Sequence, residues 1–172
     1  GFIGQLFIRC IENITGRIGL IKRAKDYEIE VASGRNFWEV IVERYNIKIN
    51  LVEGSLEDIP KKGPVVIVSN HPFGILDGLL LGYILSKTRN DFKIIANRVF
   101  RKAKDLDDVV LPISFEENRK GNLQNINTRN EAIRFLKGGG IVGIFPGGTV
   151  ATSAKLFSRP LDPFWKRFTS KL

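Results

Sequence analysis

Apolar residues recur with helical spacing in the first part of the chain. In residues 1–15 they fall three and four positions apart, which predicts an amphipathic helix. Residues 18–32 carry a weaker pattern of the same kind, and we predict a second helix there. Asn36 is a good N-cap residue with Glu39 three positions later, so we predict that a third helix begins there with a capping box. Residues 1–46 are therefore predicted to form a helical segment, whose first helix either packs on a core or lies on a membrane surface.

From residue 47 onward the pattern alternates between strands and helices. Residues 47–51 alternate apolar and polar positions, which predicts a half-buried strand near a sheet edge. The continuous β-branched run from Val65 to Val68 is typical of a strand covered on both faces. The other predicted elements are a helix over 76–85, a strand over 92–96, a helix that opens with a capping box at Thr128 and ends at Gly138, and a strand over 141–145. This order predicts an α/β domain over residues 47–172, with a mostly parallel central sheet flanked by helices.

The composition adds a preference for anionic partners. The 172 residues include 27 Lys and Arg against 18 Asp and Glu, which gives a net charge of +9. A basic surface suits phospholipid head groups, a phosphorylated cofactor or nucleic acid. One Cys and one His cannot build a disulfide framework or a Cys/His zinc site, and no stretch approaches the roughly 20 apolar residues that span a bilayer. We expect no metal and no bound cofactor, and because the chain starts at Gly1 and contains no Met, we expect the sequence to be incomplete.

The segment from Ser69 to Gly78 is the strongest candidate for chemistry. It follows the predicted strand 65–68 and runs into a helix, and open α/β sheets place their sites at the carboxyl ends of strands. His71 is the only histidine, and Asp77 falls six residues later, in the predicted first turn of the helix. A carboxylate that fixes one ring nitrogen leaves the other free to accept a proton. The alternative is a structural histidine in a loop, with Asp77 as an ordinary acid at a helix N-terminus.

A second candidate segment follows the strand at 141–145 and reads Phe145-Pro146-Gly147-Gly148-Thr149-Val150. Its two glycines let the backbone approach a ligand closely and can point N–H groups at an anion, although an ordinary turn is the alternative. The glycines within 138–143 match G-x-G-x-x-G, but they precede a strand instead of opening a helix. That context argues against a dinucleotide site.

Taken together, the two segments resemble the glycerolipid acyltransferases of the lysophosphatidate acyltransferase type. That family has an H-x4-D block followed by an F-P-E-G-T block. Here His71 and Asp77 precede Phe145-Pro146-x-Gly148-Thr149 in the same order, and the resemblance extends over roughly residues 60–160. The family implies an α/β fold with flanking helices, in agreement with the prediction from the pattern.

Within this family the chain looks closest to a bacterial lysophospholipid acyltransferase branch, which includes hemolysin-named proteins and enzymes of ornithine-lipid synthesis. The residues from Asn70 to Gly78 carry that likeness, and those from Gly34 to Glu39 add to it. The family normally continues with another strand block, so we expect this chain to be truncated at its C-terminus.

Three departures from the family pattern bear on the acceptor. His71 and Asp77 enclose five residues, one more than the common block. Gly147 stands where the family usually has Glu, and Val150 stands where it often has Arg. In the family those two positions help to bind the acceptor's phosphate, so their absence argues against lysophosphatidate as the acceptor.

The resemblance also implies roles for individual residues. It makes His71 the general base and Asp77 its partner. Arg98 and Arg119 are rival matches to the arginine of the family's middle block, and each is alternatively a solvated surface charge. The residues implied in substrate binding are Asn70, Arg98, Arg119, Phe145, Pro146, Gly147, Gly148 and Thr149.

The implied activity is the transfer of a fatty acyl group from acyl-CoA or acyl carrier protein to a hydroxyl of a lysolipid. The resemblance and the positive charge together predict a peripheral protein on the cytoplasmic face of a membrane, bound to an anionic surface and not to nucleic acid. Lys, Arg and aromatic residues are interleaved over 155–171, which suits a membrane surface or a charged helix packed on the core. Two other functions stay open: a basic nucleic-acid-binding module, and a thioesterase that uses the same His and Asp on water.

Overall fold

A computed structural model describes residues 17–153 and 158–172, and the chain divides into two compact units, residues 1–50 and 51–172. The helix expected over 1–15 lies outside the described residues. The domain limits expected from the sequence, 1–46 and 47–172, stay a prediction.

Three helices form the described part of the first unit: α1 (Arg17–Ala24), α2 (Tyr27–Ala32) and α3 (Phe37–Arg44). The single helix predicted over 18–32 is therefore wrong. Asp26 adopts a left-handed backbone conformation, with φ of 60°, and separates α1 from α2. Arg44 donates hydrogen bonds to the carbonyls of Arg23 and Asp26, so its guanidinium satisfies backbone groups where α1 ends.

The start of α3 and its ion pairs hold this unit together. Asn36 is confirmed as the N-cap, because its side chain accepts the backbone N–H of Glu39 at 3.3 Å. Glu30 of α2 accepts a hydrogen bond from the Nε of Arg44 at 2.7 Å and pairs with Arg35. The hydrogen bond from Arg44, reinforced by Arg35, holds the pKa of Glu30 below its usual value.

Four parallel strands form the sheet of the second unit in the spatial order β1-β4-β2-β3, and they are β1 (Val65–Val68), β2 (Phe92–Asn97), β3 (Val110–Ile113) and β4 (Ile141–Ile144). The two long helices are α4 (Ile75–Thr88) and α5 (Arg119–Lys137). Short 3-10 helices cover Leu56–Asp58, Arg98–Lys102, Lys104–Leu106 and Thr169–Lys171.

The two long helices cover opposite faces of the sheet. Gly143 of β4 faces α4, because a Cβ atom at Gly143 would lie only 2.9 Å from a methyl carbon of Leu81. Its neighbours Val142 and Ile144 point to the other face, where they share a buried apolar cluster with Ala132 of α5. The resulting three layers confirm the predicted α/β class with a parallel sheet.

Two of the predicted strands need correction. Residues 47–51 form no strand, and Ile49 and Leu51 are exposed instead of half-buried. Residues 47–51 have no strand partner among the described residues, and an alternating pattern without a partner does not form a strand. The strand at Val65–Val68 exists, but among the described strands it lies at the sheet edge and pairs with β4 alone, and Val66 and Val68 are exposed.

A further correction concerns the helix before β4. This helix begins at Arg119, where Asn118 caps it by accepting the N–H of Gly121 at 2.7 Å. Thr128, expected to open the helix, lies buried within it and its hydroxyl donates to the carbonyl of Pro112. The prediction missed β3 altogether, since Pro112 is unusual in strands; it is tolerated here because β3 lies at the other edge of the sheet. Gly138 does terminate α5, as expected.

Arg89 ties together the loops at the amino-terminal end of the sheet. Its guanidinium donates to the carbonyls of Pro60, Gly63 and Gly139 and pairs with the carboxylate of Asp91. The hydrogen bond from Arg89 lowers the pKa of Asp91. These contacts join the connections that lead into β1, β2 and β4.

Among the helices of residues 17–153 and 158–172, none is both long enough and apolar enough to cross a membrane.

Candidate active site

The two candidate segments leave the sheet side by side. β1 and β4 are parallel neighbours, with Val68 opposite Ile144, and the N–H of Ser69 donates to the carbonyl of Ile144 at 3.1 Å. Because parallel strands carry their carboxyl ends to the same edge, the segment after β1 and the segment after β4 meet there. This is the position in which the sequence predicted a site.

His71 and Asp77 form a hydrogen-bonded pair. The Nδ1 of His71 lies 3.0 Å from Oδ2 of Asp77, and the two side chains are only 19% and 11% exposed. The same carboxylate oxygen accepts the backbone N–H of Phe73 at 2.7 Å. Gly74 makes the turn possible with φ of 65° and accepts the N–H of Asp77 at 3.1 Å, so the carboxylate folds back over the loop. The loop with five intervening residues therefore brings the pair together.

Phe145 positions the imidazole from the neighbouring strand. Its ring stacks on that of His71, with 4.2 Å between the centroids and 23° between the planes. The carbonyl of His71 also accepts the N–H of Ala151 at 2.8 Å, so the two segments are joined through backbone as well as through side chains. With Nδ1 turned to the carboxylate and one face covered, the imidazole has a fixed orientation.

Residues 145–148, directly after β4, form a tight turn, which we call the bend. Gly148 adopts φ of 76°, which favours glycine, and its N–H donates to the carbonyl of Phe145 at 3.0 Å. Gly147 is buried, and a Cβ atom there would lie 3.0 Å from Cδ of Pro163 and 3.2 Å from its carbonyl oxygen. A larger side chain at position 147 would therefore require Pro163 to move.

The C-terminal segment, residues 158–172, is fastened to both candidate segments. Asp162 accepts the backbone N–H of His71 through Oδ1 at 3.0 Å, and the N–H of Lys166 donates to the carbonyl of Pro146 at 3.0 Å. An isolated antiparallel bridge between Thr152 and Leu161 brings the segment into place. Sequence reasoning missed both contacts, and the interleaved basic and aromatic residues of this segment gave no signal for them.

A cavity of about 120 Å³ opens beside the bend. Its wall is mainly apolar, with polar groups from Lys166, Thr169, Ser114 and Asn125. Asn125 uses its amide on the backbone of Ser114, whereas the buried Oγ1 of Thr169 has no hydrogen-bond partner among the described residues. The residues that line the cavity are Ile95, Ile113, Ser114, Phe115, Asn125, Ile144, Pro146, Gly148, Lys166, Phe168 and Thr169.

The sequence of the chain is similar to those of known proteins. A family model described as Acyltransferase matches residues 51–164, which include both candidate segments and all four strands of the sheet. The chain belongs to the acyltransferase family. The resemblance found from the two sequence blocks is thereby confirmed.

Two relatives with similar sequences are both named lyso-glycine lipid O-acyltransferase. The one from Phocaeicola vulgatus is 30% identical over 114 residues, which cover 66% of this chain and 39% of that relative. The one from Bacteroides thetaiotaomicron is 34% identical over 82 residues, which cover 47% of this chain and 29% of that relative. The matches thus span less than half of the length of either relative. No solved structure matches the chain significantly.

The other predicted site residues of this acyltransferase-family chain form two groups: those at the bend, and the two arginines. Pro146, like Phe145, is buried in the bend, and Asn70 and Thr149 lie exposed beside it. Arg98 begins the 3-10 helix after β2 and Arg119 begins α5; both side chains are exposed. Among the described residues no hydrogen bond or ion pair links either arginine to His71 or to the bend.

Proposed function

We propose that this protein is an O-acyltransferase that moves a fatty acyl group from an acyl thioester to a hydroxyl of a lysolipid. The observation that carries the proposal is the 3.0 Å contact between His71 and Asp77 at the carboxyl end of β1, beside the bend after β4. The family match supports the reaction class, and the names of the relatives support a lysolipid acceptor, with lyso-glycine lipid as the first to test. The donor is acyl-CoA or acyl carrier protein.

In the proposed mechanism His71 is the general base. With Nδ1 donating to Asp77, Nε2 carries the lone pair and takes the proton of the acceptor hydroxyl as its oxygen attacks the thioester carbonyl. Asp77 stabilises the imidazolium that results. Collapse of the tetrahedral intermediate breaks the carbon–sulfur bond, and the imidazolium returns the proton to the departing thiolate. The products are an ester and a free thiol, with no acyl-enzyme in between.

The negative charge on the tetrahedral oxygen needs a donor close to the imidazole. The N–H of Gly148 does not serve, since the carbonyl of Phe145 already accepts it. We assign the role to the N–H of Gly147, for which no acceptor is found among the described residues. Its position in the buried bend next to Phe145 supports this assignment, because a fixed donor in a dry site stabilises charge more strongly than water does.

Membrane association is part of the proposal. Phe73, which is 74% exposed, lies in the loop after His71, and the exposed Ile75 begins α4, which carries Asp77. Phe164 and Trp165 are exposed in the segment fastened to the bend. Apolar side chains around the site, together with the net charge of +9, suit a peripheral protein on an anionic membrane face, from which a lysolipid would enter.

The test is His71→Ala assayed with labelled acyl-CoA and acyl-acyl carrier protein against a panel of lysolipids that includes lyso-glycine lipid and lyso-ornithine lipid. We expect the wild-type protein to form a two-chain product and the variant to lose about 10²–10⁴-fold in turnover. Full activity of the variant would contradict the role of His71. Release of free fatty acid without a two-chain product would favour the thioesterase instead.

A further inference from the structure

We propose that Lys166 binds the anionic head group of the lysolipid acceptor, and so determines which acceptors the enzyme accepts. The inference rests on the proposed function and names the residue that recognises the substrate. Two features carry it: where the ammonium group lies, and the absence of a carboxylate partner for it among the described residues.

The backbone and side chain of Lys166 are both held against the bend. Its N–H donates to the carbonyl of Pro146 at 3.0 Å, which fixes where the side chain starts. A Cβ atom built on Gly148 would lie 3.1 Å from Cε and 3.3 Å from Nζ of Lys166, so the end of the side chain lies directly along the bend. Nζ is also 6.0 Å from the centroid of the Phe115 ring, and Phe115 lines the same cavity. The same bend carries the ring of Phe145 that stacks on the catalytic imidazole.

The ammonium group of Lys166 is available for a ligand. Arg89 and Arg101 each pair with a carboxylate of their own, whereas Lys166 pairs with none in the described part of the chain. The acids beside the bend are already engaged, since Asp77 accepts from His71 and Phe73, and Asp162 accepts the N–H of His71. A cation without a counter-ion, on the same bend whose Phe145 ring stacks on His71, is suited to bind an anion.

The cavity supplies a second donor for that anion. Thr169 lines the same cavity as Lys166, and its buried Oγ1 has no hydrogen-bond partner among the described residues. A buried hydroxyl without a partner is unfavourable, so a group that accepts its hydrogen would be bound more tightly. The rest of the wall is mainly apolar, so Lys166 and Thr169 are among the few polar residues that line the cavity.

Gly147 is crowded by the same C-terminal segment that carries Lys166. Pro163 lies against Gly147 so closely that a longer side chain there would displace it, and Lys166 follows three residues later. The bend therefore offers no charged side chain at position 147, and the segment packed on it brings one to Gly148. This arrangement favours recognition of a negative head group.

Of the two substrates, the acceptor suits Lys166 better than the acyl donor does, because the hydroxyl of the acceptor must reach Nε2 of His71. The head group of a lysolipid lies only a few bonds from that hydroxyl, which matches two contacts on one short bend, at Phe145 and at Gly148. A carboxylate and a phosphate would both provide the required charge. The acyl donor is the competing ligand, because CoA is also anionic.

The experiment compares Lys166→Gln and Lys166→Arg with wild type on two acceptors that differ only in charge: a hydroxyacyl-glycine with a free carboxylate, and its methyl ester. Lysophosphatidate is the phosphate acceptor. Lys171→Gln removes the same charge from the same segment, but Lys171 does not line the cavity, so it is the matched control. The values of KM for the acceptor and for acyl-CoA are measured separately.

We expect Lys166→Gln to raise KM for the free acid about tenfold or more, as the loss of a charge-assisted hydrogen bond predicts, and to leave KM for the methyl ester unchanged. Lys166→Arg should keep most of the preference for the free acid, and Lys171→Gln should behave as wild type. A larger effect on lysophosphatidate than on the free acid would identify phosphate as the preferred anion. The ratio of the KM values for the two acceptors, measured on one variant, does not depend on the fraction of that variant that is folded.

Equal changes for the free acid and the ester would overturn the inference, and so would a change confined to KM for acyl-CoA. These results leave the proposed function intact, because wild type would still transfer acyl groups. Absence of transfer by wild type to every acceptor would instead overturn the proposed function, and the role of Lys166 with it.

Discussion

Asp77 uses one carboxylate oxygen, Oδ2, for two contacts: the Nδ1 of His71 at 3.0 Å and the backbone N–H of Phe73 at 2.7 Å. The second contact holds the carboxylate in place before any substrate arrives. The imidazole is then oriented without a separate reorganisation step, which is what a general base in a positioned site requires.

We predict that Asp77→Asn lowers kcat by on the order of 10²-fold while KM for both substrates changes little. If the amide oxygen takes the place of Oδ2, it can accept from Phe73 but carries no charge to stabilise the imidazolium; if the amide nitrogen takes that place, it presents an N–H to Nδ1 and favours the wrong tautomer. Steady-state kinetics of the purified variant check this, with its melting temperature as the control for folding. A kcat like that of wild type would show that the carboxylate is not needed for the reaction.

The sequence allowed this pair to be predicted because the two residues are close along the chain and follow a strong strand signal. The β-branched run from Val65 to Val68 fixed the strand, and Asp77 lies in the first turn of the next helix, as expected. Local spacing therefore determined most of the geometry. The prediction from Thr128 failed because its local capping signal competed with the one at Asn118 and with burial against the sheet.

The contribution of the C-terminal segment could not be predicted in this way. Asp162 lies 91 positions from His71, and nothing in its own neighbourhood indicates an acceptor for a distant backbone N–H. The closeness of Lys166 to Gly148 likewise depends on how the segment crosses the bend after β4. Such contacts follow from tertiary packing, which the spacing of residues along the chain does not predict.

We predict that Asp162 positions the loop of His71, so that Asp162→Ala lowers kcat about tenfold, while Asp162→Asn, which keeps an oxygen acceptor, retains most of the activity. In the alanine variant the N–H of His71 loses its partner in a partly buried place, and the imidazole moves relative to the bend. Kinetics of both variants provide the check. Rescue by asparagine separates a positioning role from a need for the negative charge; equal losses in both would contradict the prediction.

The ion pair between Arg89 and Asp91 predicts an acid-sensitive part of the stability. The hydrogen bond from Arg89 lowers the pKa of Asp91 in the folded protein, so the carboxylate stabilises the fold above its unfolded pKa, near 4, and this contribution disappears as the pH falls through the folded value. Asp91→Asn should therefore be less stable than wild type at pH 7, and the difference should shrink below about pH 4. Because Asp91 is 54% exposed, we expect at most about 1 kcal/mol.

Urea unfolding of wild type and Asp91→Asn at a series of pH values measures this difference. Asp107→Asn is the matched control, since that carboxylate also pairs with an arginine, Arg101, but away from the three loops that Arg89 joins. A stability gap between wild type and Asp91→Asn that widens on acidification would have the opposite sign to the one expected from a lowered pKa, and would contradict the prediction.

The exposed ring of Phe73 gives a prediction about the membrane. Phe73 donates to Asp77 through its backbone N–H, so a change of side chain leaves that hydrogen bond available, and the residue is 74% exposed beside the site. We predict that Phe73→Asp weakens binding to anionic vesicles and lowers activity on a vesicle-borne acceptor by about tenfold, because it removes an apolar contact and adds repulsion. Activity on a short-chain acceptor dissolved in water should stay close to that of wild type.

Val52→Asp supplies the matched control. Val52 is also an exposed apolar residue of the second unit, but it lies at the start of that unit, outside the loop of His71 and the bend. Co-sedimentation with vesicles and the two activity assays are carried out on all three proteins. If Phe73→Asp lowered activity equally on the dissolved and the vesicle-borne acceptor, the ring would act within the active site, and the surface around His71 would not be the face that meets the lipid.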